Sequence, residues 1–294
     1  MTLYAILKFI TTHPLTQSDK TKAVMRFVNW QMKSRITKKS IEHKFTSRTK
    51  LILKRGMTGA TGNLYCGLQD FSEMSFVLHF LRKDDIFLDI GANIGTYTIL
   101  ASGHVGAHSI AFEPSQDTAT HFNNNIKLNN IQSLVELHTN ALGASTGECY
   151  IETAADIMNN HINHEMQQNS VKVRIERLDD VLTDHNMPNL IKIGVEGYEY
   201  EILKAATSTL KNPKLKAMLI ETMGLTKRYG ASDSQVHELI CSNGFAPYEY
   251  DPFTRNLQAI ASHTNRNTLY IRDLEFVKQR VETAEKIEIL NKLF

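Results

Sequence analysis

Three cysteines, six prolines and one tryptophan are all that this 294-residue chain holds of those residue types. Cys66, Cys149 and Cys241 lie far apart and show none of the paired spacing that redox or zinc sites use. A disulfide framework is thereby excluded, no metal ligands are expected, and free thiols in a reducing, cytoplasmic compartment fit best. Long apolar runs are also missing. The stretch 3–10 is short, is interrupted by Lys8 and has no small-residue cleavage site, so neither a transmembrane segment nor a signal peptide is expected. No region is of low complexity, and a 42% hydrophobic fraction is enough for one sizeable core.

Excess charge of one sign is absent from the chain as a whole, which carries a formal +2, but not from its parts. Residues 1–55 hold thirteen Lys/Arg against two Asp/Glu, and the remainder holds 20 against 29. Within this basic arm Val24, Phe27, Val28 and Met32 fall roughly on one helical face, interspersed with Lys22, Arg26, Lys33 and Arg35. The pattern predicts a helix that docks through its apolar face with its basic face in solvent. Such a face also suits an anionic partner, whether lipid head group, glycan or nucleic acid. Three regions follow: a basic helical extension over 1–55, a main domain over 56–275, and a charged C-terminal helix over 276–294.

In the main domain, a glycine-rich stretch, 56–67, is expected to end in a turn. Asp70 and Glu73 have capping-box spacing ahead of a helix whose Phe71, Met74, Val77, Leu78 and Leu81 form a buried stripe. Short apolar runs then alternate with helical patterns. Strands are predicted at 86–90, 109–112, 134–137, 190–195, 217–220, 245–250 and 268–271, with a half-exposed one where Val171, Val173 and Ile175 alternate with charged residues. Ser232 with Gln235 caps a helix that Gly244 ends. This alternation indicates a doubly wound α/β fold, Rossmann-like, with a mostly parallel seven-stranded sheet between helices.

The most informative stretch is Phe87-Leu88-Asp89-Ile90-Gly91-Ala92-Asn93-Ile94-Gly95-Thr96, a strand running through a glycine turn into a helix. Gly91 permits the turn and would let a ligand approach the backbone; Gly95 would let the helix start close to the strand. Asp89 can accept hydrogen bonds from the amino-acid part of a cofactor. Glu113, 22 positions beyond Gly91, stands where doubly wound folds place the acid that accepts ribose hydroxyls. The spacing is Asp-x-Gly-x-x-x-Gly, not Gly-x-Gly-x-x-Gly, and no Gly-Lys-Ser/Thr follows. Both features favour S-adenosylmethionine (SAM), which has no pyrophosphate, over NAD or ATP.

These motifs resemble the FkbM family of SAM-dependent methyltransferases. The resemblance rests on FLDIGANIGTYT (87–98), AFEPS (111–115), NALG (140–143), RIERLDDVL (174–182), LIKIGVEGYEYEILKAA (190–206) and LIET (219–222), and spans roughly residues 60–250. It implies a class I methyltransferase fold and methylation of a hydroxyl on a sugar, polysaccharide unit or other metabolite. It implies cofactor contacts from Asp89, Gly91, Ala92, Asn93, Gly95, Glu113, Pro114, Asn140 and Ala141. The family usually reads Lys-Ile-Asp-Val-Glu-Gly where this chain reads Lys192-Ile193-Gly194-Val195-Glu196-Gly197. Glu196 and Glu221, at strand ends facing one crevice, are the remaining candidates to orient the acceptor or take its proton. Glu196 has an alternative use as a helix cap, and Glu221 as a partner for loop backbone. A Gly194→Asp change is expected to raise activity if it has any effect.

The cluster His161, His164, Glu165, among Asn159, Asn160 and Asn163, matches neither zinc-protease pattern and reads as an exposed loop or a substrate-facing segment. Tyr198 reads as core. Two other functions remain open at this level: a SAM-binding module without catalysis, motivated by Gly194, and a nucleic-acid methyltransferase using the basic arm. Neither an Asn/Asp-Pro-Pro-Tyr-type motif nor a Cys-Pro pair supports the latter.

Overall fold

The computed structural model describes residues 2–37, 39–152, 161–163, 165–166 and 170–294. Its main sheet is built from β1 (Ile86–Ile90), β2 (His108–Phe112), β3 (Val135–His138), β4 (Leu190–Ile193), β5 (Ala217–Glu221), β6 (Ala246–Asp251), β7 (Asn256–Ala259) and β8 (Asn267–Ile271). The order across the sheet is β7-β6-β8-β5-β4-β1-β2-β3. Neighbours from β5 through β3 are parallel, whereas β8 runs antiparallel to both β5 and β6. The central strands are buried on both faces, which is why they read as short continuous apolar runs. Side chains alternate between two apolar clusters, Phe87 in one and its neighbour Leu88 in the other. The sheet has one strand more than expected. β7 pairs only with β6 at the edge, and its mostly exposed residues leave no apolar alternation to read.

From β1 the chain winds outward to β2 and β3, then returns to place β4 on the other side of β1. The carboxyl ends of β1 and β4 therefore flank a topological switch point, where doubly wound sheets open a crevice. A second, four-stranded sheet, ordered Ala141–Leu142, Ser170–Glu176, Gly147–Glu152, His161–Asn163, sits in the connection between β3 and β4. The half-exposed strand read from Val171, Val173 and Ile175 belongs here.

Several local expectations differ from the structure. The glycine-rich stretch is largely helical, over Thr58–Cys66. Asp70 does sit at the N-cap of helix Phe71–Phe80, but its side chain makes no capping bond; it accepts from the Tyr97 hydroxyl at 3.1 Å. The C-terminal helix spans Leu274–Glu282, and the tail beyond it forms a hairpin, Glu288–Ile289 with Lys292–Leu293, that buries Phe294. Residues 1–55 comprise two helices, Leu3–Thr12 and Lys20–Thr37, and a hairpin, Ile41–Lys44 with Lys50–Leu53. The second helix docks through Ala23, Phe27, Trp30 and Ser34, so Phe27 is buried as expected while Val28 and Met32 are not. The hairpin is clasped to the helix after β2. Asn125 Oδ1 accepts from Ile52 N at 2.7 Å, and Asn129 bonds both the N–H and the carbonyl of Lys50.

Candidate active site

The glycine loop after β1 is fixed by its neighbours. Gly91 N and Ala92 N both donate to the Phe112 carbonyl at 3.0 Å, and Asn93 N donates to Glu113 Oε2 at 2.9 Å. Gly91 (φ +74°) and Gly95 (φ +87°) adopt left-handed conformations that favour glycine. Each glycine also has a second reason, a close protein neighbour, that is not readable in the sequence. A Cβ on Gly91 would meet not a ligand but the Gly194 carbonyl oxygen, 2.0 Å away, and one on Gly95 would meet the Phe122 ring at 2.9 Å. The two loops leaving β1 and β4 are thus in backbone contact, and Gly194 N closes the junction by donating to Ile90 O at 3.0 Å.

One cleft opens over this junction. Gly91, Ala92, Asn93, Glu113, Pro114, Asn140 and Ala141 line it, as do Glu196 and Glu221. Asp89 and Gly95 lie beneath rather than on its surface. Asp89 is fully buried, with Oδ2 accepting from Thr98 N (3.2 Å) and Thr98 Oγ1 (2.7 Å), while Oδ1 has no hydrogen-bond partner among the described residues. Burial pushes the Asp89 pKa up, and Lys192, its register partner on β4, opposes that rise. Glu113 accepts from Asn93 N through one oxygen and from Ser115 N through the other, and burial lifts its pKa to about 7. The Asn140 side chain is engaged with Glu176, which leaves its backbone for any ligand.

At the β4–β5 end, the position vacated at residue 194 is already occupied. A Cβ on Gly194 would stand 2.6 Å from Glu221 Oε2 and 2.7 Å from Lys192 Nζ. The space that an aspartate side chain would need is therefore filled by the ends of two flexible charged side chains. Lys192 also donates to the Gly91 carbonyl at 3.1 Å and lies 5.7 Å from the Tyr97 ring centroid. Glu196 holds a left-handed backbone (φ +55°), uncommon for a residue with a Cβ. Its capping alternative falls to Glu199, whose Oε1 accepts from Val195 N and Gly197 N. Burial, then the charge of Glu221, raises the Glu196 pKa to about 7.

Asp70, Tyr97 and Lys192 are site residues that sequence reading missed. Asp70 lines the cleft beside Glu221, and burial together with that charge raises its pKa to about 6. Glu73, one turn along, is lifted to about 7 by burial and then by Asp70. A lysine inside an otherwise apolar strand was the available signal for Lys192, because such a residue is rarely buried without a partner. His161 is in a strand, lines the cleft and contacts Glu152 at 3.2 Å; Glu165 is exposed, and His164, Asn159 and Asn160 lie outside the described residues. Tyr198 is core, edge-on to Tyr229 at 4.8 Å between ring centroids.

Comparison with known proteins gives four matches. The hexuronic acid methyltransferase AglP of Haloferax volcanii is 28% identical over 138 residues, which cover 46% of this chain and 56% of that protein. The chain thus spans little more than half the length of this curated relative. Among solved structures, precorrin-6y C5,15-methyltransferase of Geobacter metallireducens aligns over 69% of this chain and 87% of its own, with TM-score 0.39 and 16% identity. A protein described as a putative rRNA methylase, from Clostridium thermocellum, aligns over 68% of this chain and 92% of its own, with TM-score 0.42 and 9% identity. A model of the methyltransferase FkbM domain matches residues 89–247, the segment running from Asp89 near the end of β1 into β6. That match covers more than half of the chain, which accordingly belongs to the FkbM methyltransferase family.

Proposed function

We propose that the cleft binds SAM and that the protein methylates a hydroxyl of a sugar, polysaccharide unit or similar small polar metabolite. Two features fit this cofactor: a fully buried carboxylate oxygen, Asp89 Oδ1, without a partner among the described residues, and a second carboxylate, Glu113, one strand away on the cleft wall. Bound SAM supplies an electrophilic methyl carbon on a sulfonium. Glu113 would hold the ribose hydroxyls through the lone pairs that its backbone donors leave free. Asp89 would hold the amino-acid end, directly or through water. Ala92, Asn93 and Pro114 would supply the neighbouring wall, and Asn140 and Ala141 would border the base.

The observation that carries the catalytic reading is the Glu221 carboxylate standing over Gly194 in the same cleft as Glu113. A sugar hydroxyl is a weak nucleophile at neutral pH, and a positioned base contributes about 10²–10⁴-fold. Glu221 would accept the proton that the acceptor hydroxyl gives up on methylation, with the S–CH3 bond of the donor broken and S-adenosylhomocysteine left behind, and Lys192 and Glu196 would fix the approach. A carboxylate in this place also weakens the case for a non-catalytic SAM-binding module. Lys192 is the only lysine or arginine among the described lining residues, against Asp70, Glu113, Glu196 and Glu221. This balance favours a neutral polyhydroxyl acceptor over an acidic sugar, and it argues against nucleic acid. Free thiols at Cys66, Cys149 and Cys241 suit a cytoplasmic setting.

The test is transfer of labelled methyl from SAM to fractionated glycans and small metabolites. Glu221→Gln is expected to lower turnover at least about 100-fold with SAM affinity retained. Full turnover in that variant would remove Glu221 from the mechanism.

A further inference from the structure

The helix Lys20–Thr37 carries two apolar stripes. Ala23, Phe27, Trp30 and Ser34 face the body and are buried. Met25, Val28, Met32 and Ile36 recur at helical spacing and remain exposed, at 56%, 44%, 52% and 81%. At about 100° per residue, the second stripe lies across the helix from the first. Folding therefore explains only one of them. A contiguous run of large apolar side chains along a solvent-facing helix marks an interaction surface.

The flanks of the stripe are basic. Lys22 and Lys33 border it on one side and Arg35 on the other, all exposed, and the helix has no acidic residue. Lys22 pairs with Asp19, whereas Lys33 and Arg35 have no ion pair among the described residues. Lys8, Leu3 and Tyr4 are exposed on helix Leu3–Thr12, which packs against this one. No helix among the described residues is long and apolar enough to cross a membrane.

We propose that this helix lies on an anionic lipid surface, with Met25, Val28, Met32 and Ile36 in the head-group and acyl boundary and Lys33 and Arg35 against the lipid charges. The chemistry selects this occupant. Apolar side chains gain burial at a lipid boundary while flanking lysines and arginines gain from anionic head groups. Phosphates of a nucleic acid would reward the basic flanks but leave the central stripe in water. A second copy of the chain would cover the stripe but bring two sets of basic flanks together. The inference is independent of the acceptor chemistry, because none of these residues touches the cleft.

Sedimentation of the full chain with phosphatidylcholine vesicles, with and without one-third phosphatidylglycerol, tests it. Binding is expected only to the anionic vesicles, weakening as salt is raised. The Lys33→Gln/Arg35→Gln variant should bind about 25-fold more weakly, at about fivefold per basic residue. Met25→Ser/Met32→Ser/Ile36→Ser should lose at least about tenfold at unchanged thermal unfolding, since the altered side chains are exposed. Equal binding to neutral vesicles, absence of binding, or full retention by either variant overturns the proposal. So does a salt-sensitive complex with RNA, or a dimer that the apolar variant dissolves, in place of vesicle binding.

Discussion

Gly194→Asp offers the sharpest test of how the β4–β5 end of the cleft works. The new Cβ would stand 2.6 Å from Glu221 Oε2 and 2.7 Å from Lys192 Nζ, well inside contact distance. Both obstacles are the far ends of flexible side chains, so the fold survives at a cost of about 1–2 kcal/mol while Glu221 and Lys192 swing aside. The electrostatic consequence is larger. Two ionised carboxylates about 4 Å apart repel by about 4 kcal/mol at an effective dielectric constant of about 20, so the pair retains a proton instead. A base that is both displaced and protonated forfeits much of its contribution. At neutral pH, kcat/KM is expected to fall about 10–100-fold, the reverse of the gain expected from the sequence alone, with the activity profile moving to higher pH. Gly194→Ala, which displaces without adding charge, should lose less and keep its profile. The assay is labelled methyl transfer across pH, with SAM affinity measured in parallel by calorimetry. An Asp variant as fast as the parent at neutral pH, with SAM bound equally well, would refute the assignment of this space to Glu221.

Gly91→Ala should be far more damaging to the fold, because its Cβ would meet backbone, the Gly194 carbonyl oxygen at 2.0 Å, at a φ of +74°. A loss of at least about 3 kcal/mol is expected, read as a Tm lower by about 6–12 °C; an unchanged Tm would show that the two loops separate freely. Asp89→Asn removes the charge beside the unpartnered Oδ1 and should weaken SAM binding about tenfold or more in calorimetry, and unaltered affinity would place the amino-acid end elsewhere. Stability should also depend on pH in a particular way. Glu73, Glu113 and Glu196, raised to about 7 by burial, hold protons that the unfolded chain has released, so stability falls as pH rises from about 6.5 to 8. Below about 6.5 the gain is offset by His13, His43 and His104, lowered to about 4 by burial, which stay neutral while the unfolded chain takes up protons. A Tm that climbs between pH 6.5 and 8 would contradict the raised values of the three glutamates.

The strand–turn–helix around Gly91 was legible because its chemistry is local: an apolar run, a glycine that must take a positive φ, and an acid at each of two strand ends. The capping box at Ser232 and Gln235 was legible for the same reason and forms as read. Asp70 was misread because capping spacing is also local, whereas its actual partner, the Tyr97 hydroxyl, arrives from 27 residues away. The same limit hid why Gly91 is glycine, since its close neighbour is the backbone of Gly194. Periodicity found the apolar residues of helix Lys20–Thr37 but could not divide them into two faces; Phe27 and Val28 are adjacent in sequence yet one is buried and the other exposed. β7 escaped because an edge strand with two wet faces has no pattern to betray it.

Asn125 has a consequence for engineering the chain. Its amide group donates to the Ile94 carbonyl of the glycine loop at 2.9 Å while its carbonyl receives Ile52 N from the amino-terminal hairpin. One side chain thus serves as a rivet through two plates. Trimming the first 55 residues to obtain a minimal fragment would strip one plate away, lay bare the apolar ground under Phe45 and Leu51, and loosen the floor of the cleft. Shortened versions of this protein should therefore be sought by cutting elsewhere.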